Sequence, residues 1–225
     1  MSRYQFTLQG LSPGLLMNPA TDQLLEQLRT KTPARKRTDI SIEADAGTKL
    51  YVDGDGNSGI PSLMLYASLV SAGQLVKTGV GTTKVSTASS TMLYGMMELE
   101  EEFFSFPDGT EWKADMRRGT NPKDGVMVAI VRPLFREWSI TGHVRIFDEE
   151  VNSERIREVF EKAGKFRGLG DFRPGKKGPF GRSEVAAWVE LEAPKRAAAP
   201  AAKGRKTAKG NGKADEVGAL ADITA

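Results

Sequence analysis

Cysteine is absent from this 225-residue sequence, and histidine occurs only once, as His143. Without cysteine the chain can form neither disulfide bonds nor thiolate metal sites, and it fits a reducing compartment, so we expect a cytoplasmic location. No stretch approaches the roughly 18 consecutive apolar residues that a membrane-spanning helix needs. These absences exclude disulfide-stabilised scaffolds and predict that no membrane is among the partners.

Three stretches resemble cofactor-binding motifs, but their residue spacing does not match those motifs. Gly79-Val-Gly-Thr-Thr-Lys lacks the Gly-x4-Gly-Lys-Ser/Thr order of a phosphate-binding loop. The turn that begins at Asp53 resembles a calcium loop, but its twelfth residue is Met64, where a bidentate glutamate is required. The glutamates between 98 and 102 have no histidine or aspartate at ligand spacing. We therefore expect neither a metal nor another cofactor.

The formal net charge of +3 is unevenly distributed along the chain. Residues 194–225 hold seven Lys/Arg and three Asp/Glu, so residues 1–193 hold 25 and 26, a formal net charge of −1. The last segment is rich in Ala, Lys, Gly and Pro and has almost no large apolar residue, which predicts a disordered basic tail. Residues 1–193 are then a single, nearly neutral domain, and any nucleic-acid surface on it must be a local patch.

Hydrophobic periodicity predicts six main elements in residues 1–193. They are strands at 3–9, 126–132, 138–147 and 183–191, and helices at 61–73 and 153–164. Their order, β-α-β-β-α-β, predicts an α+β fold with a ferredoxin-like frame. Residues 10–60 and 74–125 then become large insertions on that frame. One face of the sheet is expected to pack on both helices, and the other, with Thr141, His143 and Arg145, is free for a ligand.

The stretch from Gly164 to Arg182 has the most unusual composition in the chain, with six basic residues, six glycines and a single acidic residue, Asp171. Basic, glycine-rich segments that also contain aromatic residues are typical of surfaces that hold a nucleic-acid backbone and stack on its bases. A long solvated surface loop is the alternative interpretation. The candidate binding residues are Lys165, Arg167, Gly168, Gly170, Phe172, Arg173, Lys176, Lys177, Phe180 and Arg182.

Two segments of the chain resemble a known family. Gly168-Leu-Gly-Asp-Phe-Arg-Pro-Gly-Lys-Lys-Gly-Pro-Phe-Gly-Arg lies between the second helix and the fourth strand of the predicted frame. It is similar to the glycine-rich loop of the RAMP superfamily, the ferredoxin-like CRISPR-associated proteins that bind guide RNA. Phe6-Thr-Leu-Gln-Gly-Leu-Ser-Pro-Gly-Leu-Leu is similar to the first strand and following turn of the backbone-forming members. The resemblance implies RNA binding within an assembly, and related phage or mobile-element proteins are the alternative relatives.

These observations suggest three alternative functions. In the first, the protein binds single-stranded nucleic acid, with RNA preferred to DNA, has no catalytic activity and assembles along the strand. The second, implied by some RAMP relatives, is a metal-independent endoribonuclease, in which His143 would have to serve as general acid or base. The third is a structural or interaction protein of a phage or mobile element, acting as a homo-oligomer or within a multiprotein complex. We expect a binding protein rather than an enzyme.

Overall fold

The computed structural model describes residues 1–19, 41–79, 81–120, 125–147 and 153–191. Its elements, in chain order, are β1 (Ser2–Gly10), β2 (Leu15–Leu16), α1 (Ile42–Gly47), β3 (Gly59–Pro61), α2 (Ser62–Gly73), α3 (Leu93–Met96), β4 (Met97–Leu99), β5 (Phe103–Ser105), β6 (Lys113–Thr120), β7 (Met127–Phe135), β8 (Ser139–Ile146), α4 (Ser153–Lys162) and β9 (Ser183–Leu191). Helices and antiparallel sheets are thus mixed, and the predicted α+β class is confirmed.

The main sheet has four antiparallel strands in the order β4-β8-β1-β9. Phe6 in β1 lies between Gly142 of β8 and Trp188 of β9. In β1 and β8 the apolar residues alternate with polar ones, and the apolar set is buried. The strands predicted at 3–9, 138–147 and 183–191 are therefore confirmed, because this alternation matches the two faces of a sheet covered on one side.

The covered face packs on α2 and α4. Phe6 meets Phe160 of α4 with ring centroids 4.9 Å apart, and Leu65 and Leu69 of α2 belong to the same core. The predicted apolar face of α4 is buried as expected. Leu63, in the first turn of α2, lies outside this core and is 76% exposed.

One strand of the predicted frame is misplaced. The run predicted at 126–132 is β7, but it pairs with β6 and β2 in a second, three-stranded sheet. The edge position beside β8 is taken by β4, which lies within the predicted insertion 74–125. β4 has only three residues, too few for a period-2 pattern to be recognised. The assignment of 126–132 to the main sheet is therefore wrong, whereas the other three predicted strands and both predicted helices are present.

The second sheet, β2-β7-β6, lies against the stretch from Gly164 to Arg182. Leu16 and Leu134 form a small buried cluster with Phe180 of that stretch. The contacts divide the chain after Ala193, and the tail predicted at 194–225 lies outside the described residues. Among the helices that the structure describes, none combines the length and the apolar character required to cross a membrane.

Candidate nucleic-acid interface

The basic loop, as we call residues Gly164–Arg182, begins as a continuation of α4. A π-helical turn, Ala163–Arg167, follows the helix and ends at Gly168, whose φ is +69°. The sequence predicted that Gly164 would stop the helix. Instead, Gly164 permits close packing, because a Cβ atom there would collide with the carbonyl oxygen of Ser183 in β9. The loop thus leaves the helix already packed on the edge strand of the main sheet.

Hydrogen bonds fasten the basic loop to itself and to the chain near β2. Leu169 N donates to Gly181 O at 2.8 Å, and Gly181 N donates to Gly14 O at 2.8 Å. Asp171 N donates to Leu16 O at 2.7 Å. The glycine content of the segment suggests flexibility, but each of these bonds fixes a backbone group of the loop to a buried or paired neighbour.

Two of the glycines at these hydrogen-bonded contacts are required because a larger residue would clash with the backbone. Gly170 and Gly181 both have φ of +69°, in the left-handed region that side chains other than glycine rarely adopt. A Cβ atom at Gly181 would collide with Leu169 O, and one at Gly170 would collide with Leu16 O. In this loop glycine therefore allows backbone segments to approach closely.

The one carboxylate of the basic loop is bound by groups outside its cation cluster. Asp171 Oδ2 accepts from Arg132 of β7 at 2.7 Å and from Asn18 at 3.3 Å, while Oδ1 accepts from the Phe172 N–H at 2.8 Å. The Arg132 side chain is buried, so this pairing compensates a charge that would otherwise be costly to bury. Asp171 is consequently not engaged with the loop cations.

The six basic residues of the loop have no carboxylate within ion-pair distance in the described part of the chain. Arg173 donates to Gly170 O at 2.8 Å and Arg182 donates to Ser12 O at 2.9 Å, both neutral backbone acceptors. Lys176 and Lys177 are exposed at a short 3-10 turn, Pro174–Lys176. The remaining two, Lys165 and Arg167, are exposed and half-buried respectively. Within the part of the chain that the structure describes, the positive charge of these six side chains is therefore not neutralised by an ion pair.

The three phenylalanines of the loop have different surroundings. Phe180 is only 2% exposed, whereas Phe172 is 39% exposed, with the two ring centroids 6.1 Å apart. Phe180 is thus a buried support, and of these two candidates only Phe172 presents a ring to solvent. Phe166, which was outside the predicted site, is 44% exposed, with the ammonium groups of Lys162 and Lys165 at 5.8 and 5.4 Å from its ring centroid.

Arg117 of β6 is a residue of this region that the sequence pattern did not identify. Its guanidinium lies 4.7 Å from the Phe180 ring centroid, so β6 contributes a cation next to the basic loop. Arg117 is paired with Asp115 at 2.6 Å. In the sequence it belongs to a separate basic cluster, and only the strand pairing of the second sheet brings it to the loop.

The open face of the main sheet is arranged differently. His143 Nδ1 lies 2.5 Å from Glu101 Oε1, and no hydrogen bond or ion pair among the described residues joins His143 to the basic loop. Arg3 donates to Glu100 at 2.6 Å, and this hydrogen bond is the main reason that the pKa of Glu100 is lowered. Arg145 reaches Glu100 at 3.1 Å and a second glutamate, Glu98, at 3.2 Å. Each basic side chain of this face has an acidic partner.

Comparison with protein-family models finds no match, and a search of curated proteins also finds none. The resemblance to the RAMP superfamily rests on the residues of the loop and of the first strand.

Proposed function

We propose that the protein binds single-stranded nucleic acid, RNA before DNA, through the basic loop and without catalysis. The observation that carries this proposal is the pairing of Asp171 with Arg132. It removes the one carboxylate of the loop from its cations, so that they are available to an external polyanion. Backbone phosphates supply most of the affinity in such complexes, and each contact releases condensed counterions.

Within this function, the exposed cations of the loop contact phosphates, and Phe172 stacks on a base. Base stacking on an aromatic side chain contributes about 1–3 kcal/mol. Phe180 has a different role from the one expected, because it is buried and supports Phe172 from below. The family resemblance supports RNA as the ligand and assembly of several copies along one strand. A cytoplasmic location agrees with that ligand.

The test is a titration of the full chain with a fluorescently labelled 30-mer, as RNA, single-stranded DNA and duplex, at several salt concentrations. The variant carries Arg173→Ala, Lys176→Ala, Lys177→Ala and Arg182→Ala. We expect it to lose most of its affinity for the single strand, with a salt slope shallower by about 0.7 for each phosphate contact removed.

A matched control carries Arg155→Ala and Arg157→Ala, which remove two cations of α4 that have acidic partners, Glu158 and Glu161. Its affinity should stay close to that of the wild type. Equal affinity and salt slope in the wild type and the loop variant would remove the loop from the binding surface.

The nuclease alternative is supported by one arrangement, the His143–Glu101 pair, because a carboxylate that orients a histidine is common in acid–base catalysis. RNA that stays intact after prolonged incubation with the wild type excludes it, whereas cleavage that is lost in His143→Ala establishes it. For the third alternative, a structural or interaction protein, the discriminating result is freshly purified protein that carries no nucleic acid and elutes as an assembly.

A further inference from the structure

A cavity of about 430 Å³ lies beside the basic loop, where the loop passes the start of α2. Its lining includes Asn18, Tyr51, Leu63, Met64 and Arg173, together with Gly170 and Asp171 of the loop. This volume is within the range of cavities that hold small organic ligands. None of the predicted phosphate-contacting residues other than Arg173 lines it.

The polar groups of this cavity are held in place by neighbouring groups. Arg173 donates to Gly170 O at 2.8 Å, and Asp171 is bound by Arg132 at 2.7 Å. Asn18 donates to the same carboxylate at 3.3 Å. A site whose polar side chains are already oriented loses little entropy when a ligand binds.

Apolar and aromatic surface completes the lining. Leu63 stands at the rim with 76% of its surface exposed, and Met64 lies deeper, where its sulfur accepts from Gly170 N at 3.2 Å. Burial raises the pKa of Tyr51, the charge of Asp171 raises it further, and the charge of Arg173 lowers it. The phenol is therefore close enough to interact with both charged groups, and it stays protonated at neutral pH. The cavity therefore combines apolar and aromatic side chains with hydrogen-bond donors and acceptors.

We propose that this cavity takes one nucleobase of the bound strand, with Leu63 and Tyr51 along its faces and with Arg173, Asn18 and Asp171 at its hydrogen-bonding edge. The inference rests on the proposed function. The composition of the lining favours a base over a phosphate. Its one carboxylate, Asp171, is already bound by Arg132, its one cation is Arg173, and its other side chains are neutral, which suits a heteroaromatic ring with Arg173 at its edge. Lys176, Lys177 and Arg182, which lie outside the lining, suit the phosphates on either side.

The experiment measures the affinity of the full chain for four labelled 12-mers: oligo-A, oligo-U, oligo-C and a strand of abasic deoxyribose phosphates. The wild type should bind its preferred homopolymer about five- to a hundredfold more tightly than the abasic strand, the range expected from stacking of one base. Tyr51→Ala should lower that affinity until the homopolymers and the abasic strand are bound alike. Tyr51→Phe, which keeps the ring, should retain most of the difference.

Two further variants separate this cavity from the phosphate contacts. Leu63→Ala should reduce the preference for bases, whereas Leu75→Ala, at another exposed leucine outside the cavity, should not. Lys176→Ala with Lys177→Ala should weaken binding of all four strands by a similar factor. The inference is overturned if the wild type binds the abasic strand as tightly as the homopolymers, or if Tyr51→Ala keeps the full difference. In either case, if the lysine variant binds all four strands more weakly by a similar factor, the proposed function still holds. If the lysine variant binds as tightly as the wild type, both the cavity inference and the proposed function are wrong.

Discussion

The basic loop and the open face of the main sheet both carry several cations, but the two regions differ in whether these cations have acidic partners. On the sheet, Arg3 and Arg145 each reach a glutamate at 2.6–3.2 Å. In the loop, the one carboxylate, Asp171, is taken by Arg132 of the second sheet. The sheet face therefore neutralises its own charge, whereas no described carboxylate forms an ion pair with the cations of the loop.

In a nearly neutral domain, the positions of the carboxylates therefore determine which group of cations is available to bind an anion. A surface cation with an acidic partner adds little to the electrostatic potential around the protein, because the partner's charge offsets it. A group of unpaired cations instead raises the local concentration of polyanions. The backbone of the loop is hydrogen-bonded to the chain around β2, and its side chains Asp171 and Phe180 contact Arg132 and Leu134 of β7, so its charges are displayed from a fixed backbone.

The largest effect should come from the buried support of the loop. Phe180→Ala removes a side chain that is packed with Leu16 and Leu134, and we expect a loss of about 3–5 kcal/mol of stability in urea unfolding. Phe172→Ala, at the exposed ring of the same loop, should change stability by less than about 1 kcal/mol and should lower nucleic-acid affinity instead. Similar stability losses in both variants would contradict the division into support and contact.

The next effect concerns the close approach at the end of the loop. Gly181→Ala places a Cβ atom against Leu169 O in a left-handed backbone conformation, which should cost about 1–3 kcal/mol. Gly95→Ala is the matched control, because a Cβ atom there meets nothing within 4 Å and Gly95 lies in α3. Urea unfolding of both variants measures this. If Gly181→Ala lowers the stability no more than Gly95→Ala does, the contact at Gly181 does not fix the loop.

A smaller effect should follow when the loop carboxylate is removed. Asp171→Ala leaves the buried guanidinium of Arg132 without its charged partner and should cost about 1 kcal/mol or somewhat more. Glu98→Ala on the sheet removes a partner of Arg145, but both groups are well exposed, so its effect should be within about 0.5 kcal/mol. Thermal unfolding of the two variants tests the contrast, and a larger loss for Glu98→Ala would reverse it.

The smallest effect should be the pH dependence of the sheet face. The Arg3 hydrogen bond holds the pKa of Glu100 below its ordinary value of 4.5. The ionised carboxylate therefore stabilises the fold above that value, and this contribution is lost as the pH falls through the lowered pKa. Glu100→Gln should be slightly less stable than the wild type at pH 7, and the difference in Tm should shrink below about pH 4. Its affinity for the 30-mer at pH 7 should be unchanged; a difference in Tm that grows as the pH falls would contradict the pairing.

Local patterns in the sequence were sufficient for the elements that have a strong period. β1 and β8 alternate cleanly, and α4 places its apolar residues at helical spacing, so all three were predicted. β4 is too short to show a period, and β7, which the predicted frame places in the main sheet, pairs with β6 and β2 instead. Sheet membership depends on pairing partners, which periodicity does not report.

The composition of the loop was visible in the sequence, but its rigidity was not. The bonds that fix it join Gly181 to Gly14 and Asp171 to Leu16, across more than 150 residues of chain. The pairing of Asp171 with Arg132 is also between distant segments. A sequence pattern shows that glycine is frequent, yet only the fold distinguishes a glycine that gives freedom from one that allows two backbones to meet.

Arginine footprinting distinguishes directly whether the loop cations or the sheet cations bind the strand. The full chain is treated with phenylglyoxal, with and without a saturating 30-mer RNA, and the modified arginines are identified by mass spectrometry. Arg173 and Arg182 should become several-fold less reactive when RNA is present, while Arg3 and Arg145 keep the reactivity they have in the free protein. Protection of Arg3 and Arg145, with Arg173 and Arg182 unchanged, would contradict the account.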